Sequence, residues 1–138
     1  MGLELEKETY AIIGTAMEVH TILGPGYVEA VYHEAMEIEM ELRQIPFVSK
    51  PKMEIQFKQR ILKQYYIPDF LVFDLVPVEL KAHSALLTDS DGKQILNSLN
   101  CCKKSVGLLI NFGRASLDWK RYVTLPLTQS VESVKSVF

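Results

Sequence analysis

The sequence predicts an α/β fold, a mixed β-sheet flanked by helices, and three observations predict it. Apolar residues recur at helical spacing from Leu5 to Arg43. Short runs that alternate or are wholly apolar, separated by turn residues, fill positions 53–80. A strand, a helix and a second strand then follow from Glu79 to Ile110, a connection long enough to cross between parallel neighbours. A chain of 138 residues is expected to form one domain, 1–138, around one sizeable core. Its hydrophobic fraction, 48%, argues against disorder.

Each element has a local reason. Leu5 to Leu23 reads as a helix, with Ile12, Ile13, Ala16, Met17 and His20 at helical spacing. Gly24-Pro25-Gly26 stops it, and Gly26 is a turn residue needing positive φ. A second helix, Val28 to Arg43, carries the apolar stripe Val28, Val31, Tyr32, Ala35, Ile38 and Leu42. Glu29 lies at the edge of that stripe and shares a face with Tyr32 and His33, while Glu34, Glu37 and Glu41 lie towards solvent. Gln44-Ile45-Pro46 turns the chain into strands. Met53 to Phe57 alternates as a half-buried strand should, and Lys58-Gln59-Arg60 suits a hairpin tip. Ile61 to Tyr66, Phe70 to Phe73 and Val76 to Leu80 are expected to continue the same sheet. Pro68 and Pro77 cannot donate to a ladder and mark a bend, a bulge or a strand start. Thr88-Asp89-Ser90-Asp91-Gly92 offers helix caps ahead of a helix from Lys93 to Lys103. Val106 to Phe112 is a short apolar run of buried-strand type, and Leu117 to Leu125 a further strand. Thr128 to Phe138 has no clear period and is read as a mixed tail, helical if anything.

Composition excludes several classes. No apolar run approaches the ~20 residues of a membrane span. The start, Met1-Gly2-Leu3-Glu4-Leu5-Glu6, is acidic and unlike a signal peptide, and Glu6 stands where a myristoylation motif needs Ser or Thr. The cytoplasm is therefore the expected location, with no membrane partner. Cys101 and Cys102 are adjacent, which disfavours a bridge, and no second pair exists for zinc. His20, His33 and His83 match no metal-ligand spacing. The net charge is −2, yet residues 1–45 hold nine acidic and two basic side chains and the remainder eight and thirteen. That asymmetry fits a basic binding face, and equally an acidic helical layer over an ordinary sheet.

The most informative stretch is Ile67-Pro68-Asp69, followed ten residues on by Glu79-Leu80-Lys81. These ionisable groups sit in sequence that otherwise reads as buried strand, and buried charge is costly unless paired or bound to metal. Residues two apart on a strand share a face, so Glu79 and Lys81 project together with Leu80 turned away. If the two runs pair, Asp69 comes up beside them. Two carboxylates and an ammonium at one point make a site for a hard divalent cation and an activated water. A structural ion pair at a sheet end would leave the same pattern.

Pro68-Asp69 with Glu79 and Lys81 resembles the signature of the PD-(D/E)XK nuclease superfamily. Gly26-Tyr27-Val28-Glu29-Ala30-Val31-Tyr32 resembles the motif of the GxxExxY protein family, a small-protein branch of it. Gln94-Ile95-Leu96-Asn97 and Val106 to Gly113 fit its downstream features, so that the resemblance runs from Tyr10 to Val123. It implies a restriction-endonuclease-like mixed sheet flanked by helices. It implies that Asp69 and Glu79 hold Mg2+ or Mn2+, that the backbone carbonyl of Leu80 completes the inner shell, and that Lys81 orients the attacking water or helps deprotonate it. It assigns Glu29 a further catalytic or metal-shell place, and gives Gln94 a contact with the metal water or a substrate phosphate. The tyrosine usual four residues after that glutamine is Ser98 here, a departure from the pattern.

Plainer readings stand beside these. Glu29 also suits the positive end of its helix. Tyr32 suits core packing with its hydroxyl near the site, and Gln94 an exposed helix position. His83 follows Lys81 and can reach a phosphate or simply be solvated. Lys103 and Lys104, with Lys50, Lys52, Lys58, Arg60, Lys63, Arg114, Lys120 and Arg121, can supply phosphate contacts. Tyr65, Tyr66 and Trp119 offer stacking surfaces or core. No sequence-reading motif is present, so non-specific or structure-directed binding of DNA or RNA is expected. The expected function is metal-dependent hydrolysis of phosphodiester bonds. The rivals are a catalytically inactive nucleic-acid-binding or protein-assembly module on the same fold, and a hydrolase of small phosphoesters. A homodimer is left open.

Overall fold

The structure, a computed structural model, describes residues 4–124 and 134–137. Two helices come first, α1 (Glu6–Leu23) and α2 (Glu29–Leu42). Strands β1 (Phe47–Ser49), β2 (Met53–Phe57), β3 (Arg60–Tyr66), β4 (Phe70–Val72) and β5 (Val76–Lys81) follow. Helix α3 (Asp89–Cys102) leads to β6 (Val106–Asn111), β7 (Asp118–Thr124) and β8 (Val134–Val137). Six strands form one sheet in the order β1-β4-β5-β6-β7-β8. Within it β5 and β6 are parallel, joined through α3 as their spacing predicted, and the other neighbours are antiparallel.

The sheet is covered on both faces. On one, Val76, Val78, Leu80, Leu108, Ile110 and Phe112 pack against Ile12, Ala16, Val19, Tyr32, Met36 and Met40 of α1 and α2. On the other, Leu109 and Tyr122 pack against Leu87, Ile95 and Leu99 in and before α3. Strand β6 lies between these layers and is buried at every position, which explains its continuous apolar run. Each large apolar side chain taken wholly out of water contributes about 1.5–3 kcal/mol. The turn between α1 and α2 uses Gly24 at φ +70° and Gly26 at φ +115°, backbone that favours glycine.

Several expectations are corrected. The strands β2 and β3 do not continue the main sheet but pair only with each other. Alternation identifies a strand without naming its partner, and six of the seven β3 residues are exposed. The buried stripe of α2 is Tyr32, Met36 and Met40, while Val28, Ile38 and Leu42 face solvent. Met17 of α1 is likewise exposed, and Glu37 is half-buried against the Ser49 hydroxyl, which donates to it. Helix α3 starts at Asp89 instead of Lys93, because Thr88 and Asp91 form a reciprocal capping box. Gly92 therefore lies inside the helix, where a Cβ would meet the Tyr122 hydroxyl at 2.2 Å. Finally, Val134–Val137 pairs with β7 as a strand; the rest of the expected tail, 128–133 and Phe138, lies outside the described residues.

Candidate active site

Asp69 stands one residue before β4, and Phe70 pairs with Val78. Continuing that antiparallel register sets Asp69 opposite Glu79. The two carboxyl groups adjoin at the rim where β4 begins and β5 runs on past it. Asp69 Oδ2 accepts a 2.7 Å hydrogen bond from the Leu80 backbone N–H. The Leu80 carbonyl leaves β5 on this same side, because the N–H and C=O of one strand residue point the same way. The next carbonyl, that of Lys81, accepts from Phe112 N at 2.8 Å on the β6 side, as alternation requires.

Glu79 is held by a partner that no local pattern revealed. The Tyr66 hydroxyl, at the end of β3, donates to Glu79 Oε2 at 2.8 Å. Burial and the Asp69 carboxylate push the Glu79 carboxyl up to about 7, against the lowering effect of the Tyr66 bond. Burial and the Glu79 charge raise the Tyr66 phenol in turn. His33 was likewise missed. Its Nδ1 stands 3.4 Å from Asp69 Oδ1, and its ring stacks on Phe70 with centroids 4.2 Å apart. The available signal was its place one helical turn after Glu29.

Lys81 is half-buried and forms no salt bridge with Asp69 or Glu79. Its charge only partly offsets the raising of the Glu29 carboxyl, and adds a lesser share to the lowering of Asp91 that the Thr88 backbone hydrogen bond chiefly causes. The simple ion pair that the sequence allowed is therefore not how the carboxylates are balanced. Glu29, in the first turn of α2, is open to solvent on one side. Burial by the surrounding protein and the Asp69 charge still raise its carboxyl above the ordinary range, against Lys81, Lys50 and His33. Glu29 is thus near enough to Asp69 to feel its charge.

The donor set at the rim fits a hard cation: two carboxylates and a backbone carbonyl, all oxygen. Among the described residues no three His, Cys, Asp or Glu side chains form a group that could hold a metal ion. Residues 6–122 match the sequence profile of the PD-(D/E)XK nuclease superfamily. The chain belongs to that superfamily. Its mixed sheet flanked by helices is the restriction-endonuclease-like fold. No curated protein and no solved structure matches the chain. PD-(D/E)XK nucleases typically use divalent metals and act on nucleic acid. No helix among the described residues is long and apolar enough to cross a membrane.

The other expected residues of this PD-(D/E)XK chain have settings of their own. Gln94 is exposed on α3, and Ser98 behind it is buried. Tyr32 is wholly buried, stacked on Phe112 at 4.7 Å, with its hydroxyl donating to Gly24 O at 2.6 Å. It closes the α1–α2 turn and has no surface for a substrate. His83 is half-exposed, with Nδ1 3.0 Å from Ala85 O. Lys103 caps α3 in left-handed backbone, and Lys104 Nζ donates to Asp74 O at 3.1 Å. Both lysines line a cleft of about 380 Å³ under the β2–β3 hairpin.

Asn111 and Gly113 have a structural reason that spacing did not show. Asn111 is fully buried; its Oδ1 accepts from His83 N and Gly113 N at 3.0 Å each, and its Nδ2 donates to the carbonyls of His83 and Ala85. A Cβ at Gly113 would lie 2.3 Å from His83 O. Together they pin the loop after Lys81 to the end of β6.

Proposed function

We propose that the Asp69–Glu79–Lys81 rim hydrolyses phosphodiester bonds in DNA or RNA with a bound Mg2+ or Mn2+. The observation that carries this reading is the adjoining of two half-buried carboxylates with no lysine or arginine in salt-bridge contact. Such a pair is costly to hold ionised, and a divalent cation relieves the cost. On this reading Asp69, Glu79 and the Leu80 carbonyl hold the ion. When bound, it supplies a water of lowered pKa and relief of charge on the phosphoryl oxygens.

The chain's own groups do the rest. Tyr66 and the Leu80 N–H fix one oxygen of each carboxylate. Lys81 adds positive charge where negative charge develops on the phosphate. Glu29 is the further acceptor beside the rim, and Gln94 and His83 approach the substrate from α3 and from the pinned loop. Lys103 and Lys104 contribute phosphate contacts. We place the chain in the GxxExxY branch on Gly26, Glu29 and Tyr32, with the last as a core residue of the motif.

The test is a cleavage panel of single-stranded, double-stranded and branched DNA and RNA with magnesium and with manganese. Wild type should cleave only with a divalent ion. Asp69→Asn, Glu79→Gln and Lys81→Ala should each lower the rate by at least about a hundredfold. Wild type inactive on every substrate would favour the inactive binding module, and equal activity in all three variants would place the chemistry elsewhere.

A further inference from the structure

We propose that the β2–β3 hairpin is a basic arm that holds the sugar–phosphate backbone of the strand flanking the reacting phosphodiester. The proposal rests on the nuclease reading above and adds where the substrate lies. Charge is the first observation. Between positions 50 and 66 stand Lys50, Lys52, Lys58, Arg60 and Lys63 against the single acid Glu54, in a chain whose net charge is −2. None of the five forms a salt bridge with another described residue. Lys50 bears on the Glu29 carboxyl, and the other four are exposed.

Placement is the second observation. Both feet of the hairpin stand at the candidate site: Lys50 N–H donates to Asp69 O at 2.9 Å, and the Tyr66 hydroxyl holds Glu79. From these feet the strands leave the main sheet. A five-residue strand reaches roughly 17 Å, about five nucleotides at ~3.4 Å each along one strand. A backbone lying along the arm would therefore arrive at Asp69 and Glu79 at one end.

Surface chemistry is the third. Phe57 is 61% exposed and Tyr65 47%, large rings that the core does not use. Lys58 Nζ stands over the Phe57 ring and Lys52 Nζ over the Tyr65 ring, each 5.6 Å from the centroid. Rings paired with cations suit a nucleic acid strand, whose phosphates meet the ammonium groups while sugars and bases meet the ring faces. An acidic protein surface would use the charges and leave the rings unused.

The test uses the full chain carrying Asp69→Asn, so that substrate is bound without being cut. Affinity for an oligonucleotide of about twenty residues, single- and double-stranded, is measured across a salt series. It is compared with the same chain further carrying Lys52→Gln, Lys58→Gln, Arg60→Gln and Lys63→Gln. The arm predicts at least tenfold weaker binding at low salt and a log–log salt slope shallower by about 3. The tip pair alone, Lys58→Gln with Arg60→Gln, should remove about half of that slope and guards against a folding defect. Unchanged affinity and slope in a folded four-site variant overturn the arm while leaving wild-type cleavage, and so the nuclease reading, intact. A wild type that neither binds nor cleaves any oligonucleotide overturns both. A wild-type dimer that dissociates in the variant with no change in salt slope also overturns the arm, and names a second copy as its occupant.

Discussion

Strand β5 has two neighbourhoods, and they obey different rules. On one face Val76, Val78 and Leu80 are at most 2% exposed and lie against α1 and α2. On the other, Glu79 lies beside Asp69 and Tyr66, with a carboxyl pushed up to about 7. The apolar face gains free energy from every contact. The charged face spends some of it to hold ionisable groups out of water. The contrast teaches that the rim is not there for stability, so substitutions on the two faces should move different observables.

The largest expected effect lies on the apolar side. Phe112 is fully buried and stacks on Tyr32. Phe112→Ala should cost about 3–5 kcal/mol, read as a lower midpoint in urea with little change in slope. A loss below ~1 kcal/mol would mean that this layer is not the one holding the sheet.

The rim should respond in the opposite sense. The ordinary carboxyl value of Glu79 is 4.5 and its folded value about 7. Between them the folded state binds more protons than the unfolded one, so metal-free stability falls as pH rises through that window and is level above it. The groups facing Glu79 are Asp69 and Tyr66. Glu79→Gln removes the ionisation and keeps an acceptor for Tyr66. In chelator it should melt several degrees above wild type at about pH 8, an effect of up to about 3 kcal/mol, and nearly level with it below about pH 5. A variant less stable than wild type at both values would show that Glu79 contributes to folding as the apolar face does.

The smallest effect sharpens the comparison at a third place, the solvent-facing start of α3. Thr88→Ala removes one side of the capping box and should cost about 1 kcal/mol at every pH near neutrality. Thermal melts at two pH values check it, and a pH-dependent loss would mean that the cap is coupled to the rim.

Much of this arrangement is legible in the sequence, for reasons that are local. Two-residue alternation put Glu79 and Lys81 on one face, and the spacing from Glu79 to Ile110 gave the parallel crossover. What was not legible depends on partners distant in the chain. Tyr66 reaches Glu79 across 13 positions and Asn111 reaches His83 across 28. The hairpin's separation from the main sheet and the rotated stripe of α2 are also tertiary choices, since Met36 and Met40 compete with Ile38 and Leu42 for one core. Lys81 shares the face of Glu79 as its spacing demands, yet it makes no salt bridge with Glu79 or Asp69. Spacing sets the side of a strand, not the end point of a long side chain.

The central claim is that Asp69 and Glu79 jointly hold one divalent cation. Titration of the metal-free protein with Mn2+, followed by calorimetry at about pH 7.5, tests it most directly. Wild type should bind one ion with release of protons, because the Glu79 carboxyl is still partly protonated near its raised value. Asp69→Asn and Glu79→Gln should each abolish that binding while staying folded. Binding of equal affinity in the doubly substituted protein would contradict the account.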